Sequence, residues 1–231
     1  MLPHLRTLSL SNFIVSWDAA IFNNLTHLRL HLQDLTFAPS MTQILAMLAS
    51  SPMLTELNLL HAIETSSRLP CNESVGVIPL PRLVAFLVDD DALNHIFLLR
   101  HIEIPTHCTL SLKVEHRAQH VLAELGRSIS ATLAPGEMTK VHVEGDPSRV
   151  IVGGYTTTCS SSPLVQISLR CPGRYSERET ASVAGTLLGS LPLTIATSLE
   201  LVFRDPHSAA IPVQAWQTCL QTLGAVDSPP S

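Results

Sequence analysis

Two histidines, His116 and His120, stand four residues apart on a segment whose apolar pattern predicts a helix. Two imidazoles at that spacing share a helix face and could share a metal ion. Between them lie Arg117, Ala118 and Gln119, so the glutamate of a zinc protease is missing, and no third ligand is evident. Solvated surface histidines are the expectation. Asp89, Asp90 and Asp91 make an acidic cluster that could offer oxygens to a hard cation, but the spacing lacks the alternation and glycine of a calcium loop. The cluster precedes an apolar run at Ala92, where a carboxylate can cap a helix and favour its dipole. Cys159 sits in a TTTCSSS stretch. A nucleophilic thiol needs a base and an electropositive niche, and the pattern supplies neither, so an inert loop thiol is expected. Gly153-Gly154 is too short to cradle a phosphate, and no GxGxxG, P-loop or GxSxG occurs. The residues therefore predict no enzyme, no catalytic group, no metal and no cofactor.

The elements that would position these residues are legible in a recurring phrase, L-x-x-L-x-L. It starts clearly at Leu5, Leu25, Leu54 and Leu83 (ending there in Phe86 and Val88), and in degenerate form at His107, Met138, Leu164 and Ala196. The steps are 20, 29, 29, 24, 31, 26 and 32 residues. The phrase and most of its spacing match the strand signature of a leucine-rich repeat, whose period is about 20–29 residues. Successive strand side chains point to opposite faces, so the leucines point into the stack and the residues between them point out. Between the phrases the apolar spacing predicts helices over 41–50, 92–101, 116–130, 176–190 and 213–223. Pro52 stops the first; the second ends before Pro105; Ser176 and Glu179 form a capping box for the fourth. Stretches 64–79 and 145–163 read as loops, rich in Pro, Gly, Ser and Thr. The fold class is α/β: a leucine-rich-repeat solenoid with irregular repeats, parallel strands on the concave face and helices outside.

Composition narrows the function classes. Charged residues are 14% and net charge is -5, without a basic block, so no nucleic-acid footprint is present. Anionic membrane attraction is equally unsupported, and no apolar run reaches the length of about 18 residues that a transmembrane helix needs. Five cysteines without a CxxC pair suggest reduced thiols in a cytoplasmic or nuclear protein. The sequons at Asn24 and Asn72 read as chance in the absence of a secretion signal.

The phrases LPHLRTLSLSNF (2–13), FNNLTHLRLHL (22–32), SPMLTELNLL (51–60) and LPRLVAFLVDDDALNHIFLLRHIEIP (80–105) resemble the repeat region of fungal F-box-type leucine-rich-repeat proteins. The resemblance covers most of the chain and is strongest over 1–115. It implies a protein-binding module. In that family an F-box docks on the adaptor of a cullin-type ubiquitin ligase and the repeats recruit the substrate. The F-box itself is lacking in these 231 residues. The adaptor is therefore expected as a partner only where an F-box precedes Met1. The chain is expected to be a single leucine-rich-repeat-like domain over 1–226, truncated at both ends, with a disordered tail over 227–231. Raw repeat edges expose apolar surface and unpaired strand, so the chain alone is expected to be oligomeric or aggregation-prone.

The outward strand positions are the expected partner-binding face. Those with recognition chemistry are His27, Arg29, His31, Glu56, Asn58, Asp89, Lys113, Lys140, His142, Glu144, Arg170 and Glu200. Mixed signs and mixed hydrogen-bonding types suit a protein partner better than phosphate, which would favour one sign. The expected function is the substrate-recruiting region of an F-box-like ubiquitin-ligase receptor. Two other readings fit the same residues: a partial gene product without independent activity, and an enzyme whose site carries no known motif.

Overall fold

A computed structural model of the chain describes residues 4–18, 20–33, 35–64, 76–115, 119–133, 138–146, 149–156, 163–170, 177–191 and 198–203. The architecture is mixed α/β with mostly parallel strands and, among the described residues, four α-helices. The chain divides into two compact units, 1–112 and 113–231. Among the described residues no helix is long and apolar enough to cross a membrane.

In the first unit the strands are β1 (Thr7–Ser11), β2 (His27–His31), β3 (Glu56–Leu60), β4 (Ile78–Pro79), β5 (Ala85–Asp91), β6 (Ile102–Glu103) and β7 (Thr109–Glu115), which crosses the division. Its helices are α1 (Met41–Ala49) and α2 (Ala92–His101), with two 3-10 turns at Ala20–Phe22 and Leu35–Phe37. β1, β2, β3 and β5 pair in parallel, each with the next, and β7 follows beside β5. The register aligns the phrase with itself: Leu8, Leu28, Leu57 and Phe86 form one row, Leu10, Leu30, Leu59 and Val88 another. Both rows face the core and are buried from β2 onward. Burying each such side chain contributes roughly 1.5–3 kcal/mol.

The same rung joins each layer to the one before. The Arg6 carbonyl accepts from the Thr26 and His27 N–H groups (2.7 and 3.0 Å), the Thr26 carbonyl from Thr55 and Glu56 (2.7 and 3.2 Å), and the Thr55 carbonyl from Val84 and Ala85 (2.8 and 3.2 Å). Threonine hydroxyls reinforce them. Thr26 Oγ1 donates to the Arg6 carbonyl (3.0 Å), Thr55 Oγ1 to the Thr26 carbonyl (2.9 Å) and Thr109 Oγ1 to the Val84 carbonyl (3.1 Å). Buried Ser51 ties layers in a second way, donating 2.7 Å to the Phe22 carbonyl while accepting 3.0 Å from the Leu25 N–H.

The first helix starts where its sequence says it should. Ser40 caps α1 in a reciprocal box with Gln43, and Met41, Ile44, Leu45, Met47 and Leu48 are its buried residues. α2 is capped by Asp91, whose carboxylate accepts 3.0 Å from the Leu93 N–H, and Arg100 and His101 occupy its last turn, where the dipole favours cations. Helix 92–101 was the expected boundary; the chain then passes directly into β6, which pairs with β4 (Ile78 with Ile102, Pro79 with Glu103). That small pairing lies partly in the stretch expected to be a loop.

The second unit holds α3 (Gln119–Thr132), β8 (Lys140–Asp146), β9 (Arg149–Tyr155), β10 (Val165–Arg170), α4 (Glu177–Leu188) and β11 (Ser198–Phe203). β10, β9, β8 and β11 lie side by side in that order. Here two expectations are corrected. Stretch 145–163 contains a full strand, β9, antiparallel to both β8 and β10. Strands 8 and 10, expected to be parallel neighbours, are separated by it, and β11 pairs in parallel with the other edge of β8. The physical reason is in the segment itself: Val150 and Val152 alternate with exposed or half-buried residues and are buried, so β9 has a core face of its own. Gly153 and Gly154 are strand glycines. A side chain at 154 would collide with the buried Met138 thioether, and one at 153 would press on the Tyr155 ring at 3.2 Å. α3 and α4 pack closely at Gly126, where a Cβ would meet Ser190 Oγ. The helix expected over 213–223, the Ser176 cap and the tail 227–231 lie outside the described residues.

Candidate functional site

The outward face of the first unit is built by strand alternation alone. His27, Arg29 and His31 project between the buried Leu28 and Leu30, and the register sets Glu56 beside His27, Asn58 beside Arg29 and Leu60 beside His31. His27 Nε2 lies 3.8 Å from Glu56 Oε1, and its Nδ1 lies 2.9 Å from Thr26 Oγ1. Arg29 and Glu56 are exposed, and His31 and Asn58 half-buried. Asn58 Oδ1 is shielded from solvent without a hydrogen-bond partner. Its next neighbour along the row is Leu87 of β5. The face is thus polar on β2 and at Glu56 and Asn58 of β3, and turns apolar at Leu60, Ala85 and Leu87.

Asp89 departs from the expected ladder. It continues the row of His31 and Leu60 but is only 6% exposed, so it offers no open carboxylate to a partner. The acidic cluster is an internal helix-entry network. Asp90, equally buried, accepts 2.8 Å from the Asp91 N–H and 2.7 Å from Asn94 Nδ2 on one oxygen, while Oδ2 has no partner. Burial pushes the Asp90 carboxyl above its ordinary value, opposed in part by the Asn94 and Asp91 bonds and by His95. His95, 1% exposed, spans the turn, its ring nitrogens 2.7 Å from the Asp91 carbonyl and 3.2 Å from the Val88 carbonyl. The capping expected of the cluster falls to Asp91 alone.

In the second unit, four residues expected separately come together. Pairing of β8 with β11 sets Glu200 opposite His142, with Lys140 and Glu144 two residues to either side on the same face. Glu200 Oε2 lies 3.2 Å from Lys140 Nζ and 3.3 Å from His142 Nδ1, and His142 Nε2 lies 3.8 Å from Glu144 Oε2. Hydrogen bonds from Lys140, then His142, hold the Glu200 carboxyl below the ordinary glutamate value. Lys140 Nζ also stands 6.0 Å from the centre of the Tyr155 ring, which lies across the bare backbone of Gly153. The result is a charge network beside an aromatic face. Each ion pair contributes little to stability at this exposure. As a group they present two carboxylates, an ammonium and an imidazole in fixed array. Arg170 is exposed at the end of β10 opposite Arg149, whose Nε donates 2.8 Å to the buried Ser168 hydroxyl. Lys113, on β7, is half-buried and engaged.

His116 and Cys159 lie outside the described residues, as does the side chain of His120. Among the described residues no group of three or more His, Cys, Asp or Glu side chains could hold a metal ion. Cys108 is buried, and burial pushes its thiol up to about 12, which leaves it without nucleophilic character at neutral pH. Tyr155 is the residue that motif reading missed; the β-branched run Val150-Ile151-Val152 after the residues Gly145-Asp146-Pro147 was the available hairpin signal.

Comparison with protein-family models, with curated proteins and with solved structures found no match to this chain.

Proposed function

We propose that the chain is a protein-binding module of the leucine-rich-repeat type, a solenoid whose outward strand face recruits a partner protein. The observation that carries it is the in-register row of mixed polar and charged residues on β1, β2 and β3, set between two leucine rows that are buried on β2 and β3. A strand face of that kind presents hydrogen-bonding groups at fixed 4.7–4.9 Å spacing (about one strand apart) while the inner rows hold it rigid. Its mixed signs favour a protein with complementary charges. Within that reading the chain works in the cytoplasm or nucleus as the substrate-recruiting part of an F-box-like ubiquitin-ligase receptor, and it carries out no catalysis itself.

The test uses the whole chain as bait in affinity capture. Partners retained by the wild type are expected to be lost with Arg29→Glu or with Lys140→Glu, and retained with Ala46→Lys on the helix side. Capture that is indifferent to all three substitutions would overturn the face assignment. Loss of the same partners with Ala46→Lys alone would move the binding surface to the helices.

A further inference from the structure

We propose that β1 is a self-association strand, and that two copies of this chain join their sheets edge to edge through an antiparallel β1–β1 pair centred on Ser9. The inference is independent of what the outward face recruits. β1 is the terminal strand of its sheet. Its side toward β2 is settled by two bonds: the Arg6 carbonyl accepts from His27, and the Asn12 N–H donates 2.9 Å to the His31 carbonyl. Backbone groups alternate sides along a strand, so Leu8 and Leu10 also bond toward β2. Thr7, Ser9 and Ser11 then turn both N–H and carbonyl to the open edge, and no described residue bonds to them there.

The occupant follows from the sequence of the edge. T-L-S-L-S reads almost the same in both directions about Ser9. In an antiparallel pair with a twofold axis at Ser9, Thr7 faces the partner's Ser11 and Ser9 faces the partner's Ser9, each as a hydrogen-bonded pair that exchanges both bonds. Leu8 and the partner's Leu10 then form the closer, non-hydrogen-bonded pair on the inner side. Those leucines lack cover in the single chain: both are half-exposed, whereas Leu28, Leu30, Leu57 and Leu59 are 3%, 0%, 1% and 0% exposed. Phe13 and Ile14, 60% and 67% exposed, continue the apolar edge just past the left-handed Asn12. Edge strands are ordinarily protected by charge, proline or a bulge. β1 carries no charge and no proline, so nothing in it repels a second copy.

Sedimentation velocity of the full 231-residue chain is the test. A reversible monomer–dimer equilibrium is expected, with a midpoint of about 1–100 μM for so small an interface. Ser9→Pro deletes an N–H that faces the open edge and leaves the β2 ladder intact, so it is expected to weaken the dimer by about tenfold or more with unchanged circular dichroism. Ser9→Asp, which sets two like charges at the axis, is expected to do the same and serves if the proline variant misfolds. Ser9→Cys is expected to form a crosslinked dimer on oxidation, and Ser11→Cys only in company with Thr7→Cys. A monomer throughout the range, a dimer indifferent to both Ser9 substitutions, crosslinking of Ser11→Cys with itself, or an open series of higher oligomers would each overturn the proposal.

Discussion

The two units use the same strand phrase to different ends. In the first, each layer lies beside the next in sequence, so outward residues that meet are about one repeat apart, and the contact of His27 with Glu56 across β2 and β3 is loose, at 3.8 Å. In the second, a hairpin between β8 and β9 pushes β10 away and frees the other edge of β8 for β11. That exchange brings Glu200 to Lys140 and His142, at 3.2 and 3.3 Å. A regular parallel stack spreads its polar groups; one antiparallel insertion concentrates them. The comparison teaches that in a layered fold the chemistry of a face depends on strand order more than on which residues point outward.

The largest expected effect tests the packing of the regular unit. Leu59→Ala, at a site 0% exposed, is expected to cost about 2–5 kcal/mol in urea unfolding. A loss under about 1 kcal/mol would mean that the leucine rows are not close-packed. In the irregular unit the corresponding probe is overpacking. Gly154→Val drives a side chain into Met138 and is expected to cost about 1–3 kcal/mol, with part of the loss recovered by adding Met138→Ala. Additive effects of the two substitutions would show that the contact does not limit β9.

A third probe reads the buried carboxyl at the end of β5. Because the Asp90 pKa is raised on folding above 3.8, the folded chain holds that proton more tightly than the unfolded one. Its contribution is therefore fully present below pH 3.8 and is lost as pH rises through the higher folded value. Asp90→Asn is expected to remove this loss and raise the melting midpoint at pH 7 relative to wild type, whereas Asp90→Ala strands the Asp91 and Asn94 donors and is expected to cost about 1–3 kcal/mol. Equal stabilities of wild type and Asp90→Asn from pH 4 to pH 7 would contradict this.

The smallest effect sharpens the regularity itself. Val84 stands where Thr26 and Thr55 place a hydroxyl on the carbonyl of the preceding layer, and it is 51% exposed. Val84→Thr is expected to supply the missing hydroxyl on the Thr55 carbonyl and add about 0.5–1 kcal/mol, measured by denaturant midpoint. A destabilised variant would show that the rung depends on more than side-chain type.

Much of this fold was legible in the residues. Leu5-x-x-Leu8-x-Leu10 and its successors located β1, β2, β3, β5 and β7, and apolar spacing with Pro52 and the Asp89–Asp91 cluster located α1 and α2, because local pattern and tertiary packing agree there. The hairpin was not legible in the same way. Gly145, Pro147, Gly153 and Gly154 are loop residues by type, and only contact with Met138 and Tyr155 makes the last two strand residues. His27, Arg29, His31, Glu56, Asn58, Lys140, His142 and Glu144 fall on the outward side of β2, β3 and β8, where strand alternation in the sequence put them. The ladder departs from this at Asp89, where the strand runs straight into α2 and Asp89 and Asp90 are buried. The Glu200 network was invisible because pairwise proximity across β8 and β11 is a property of topology, which no periodicity encodes.

The bifurcated rungs constrain how such a chain can tolerate insertion and deletion. Twenty residues separate the Arg6 rung from that of Thr26, and 29 separate Thr26 from Thr55, yet the bonds formed are the same. Connecting segments can therefore lengthen or shorten freely without disturbing a layer. Between a rung and its strand no such freedom exists. Loss of His27, the one residue between Thr26 and Leu28, would turn Arg29 and His31 into the core and Leu28 and Leu30 out to solvent. Variation in this protein is accordingly expected to fall in its connections by length and in its strands by substitution only.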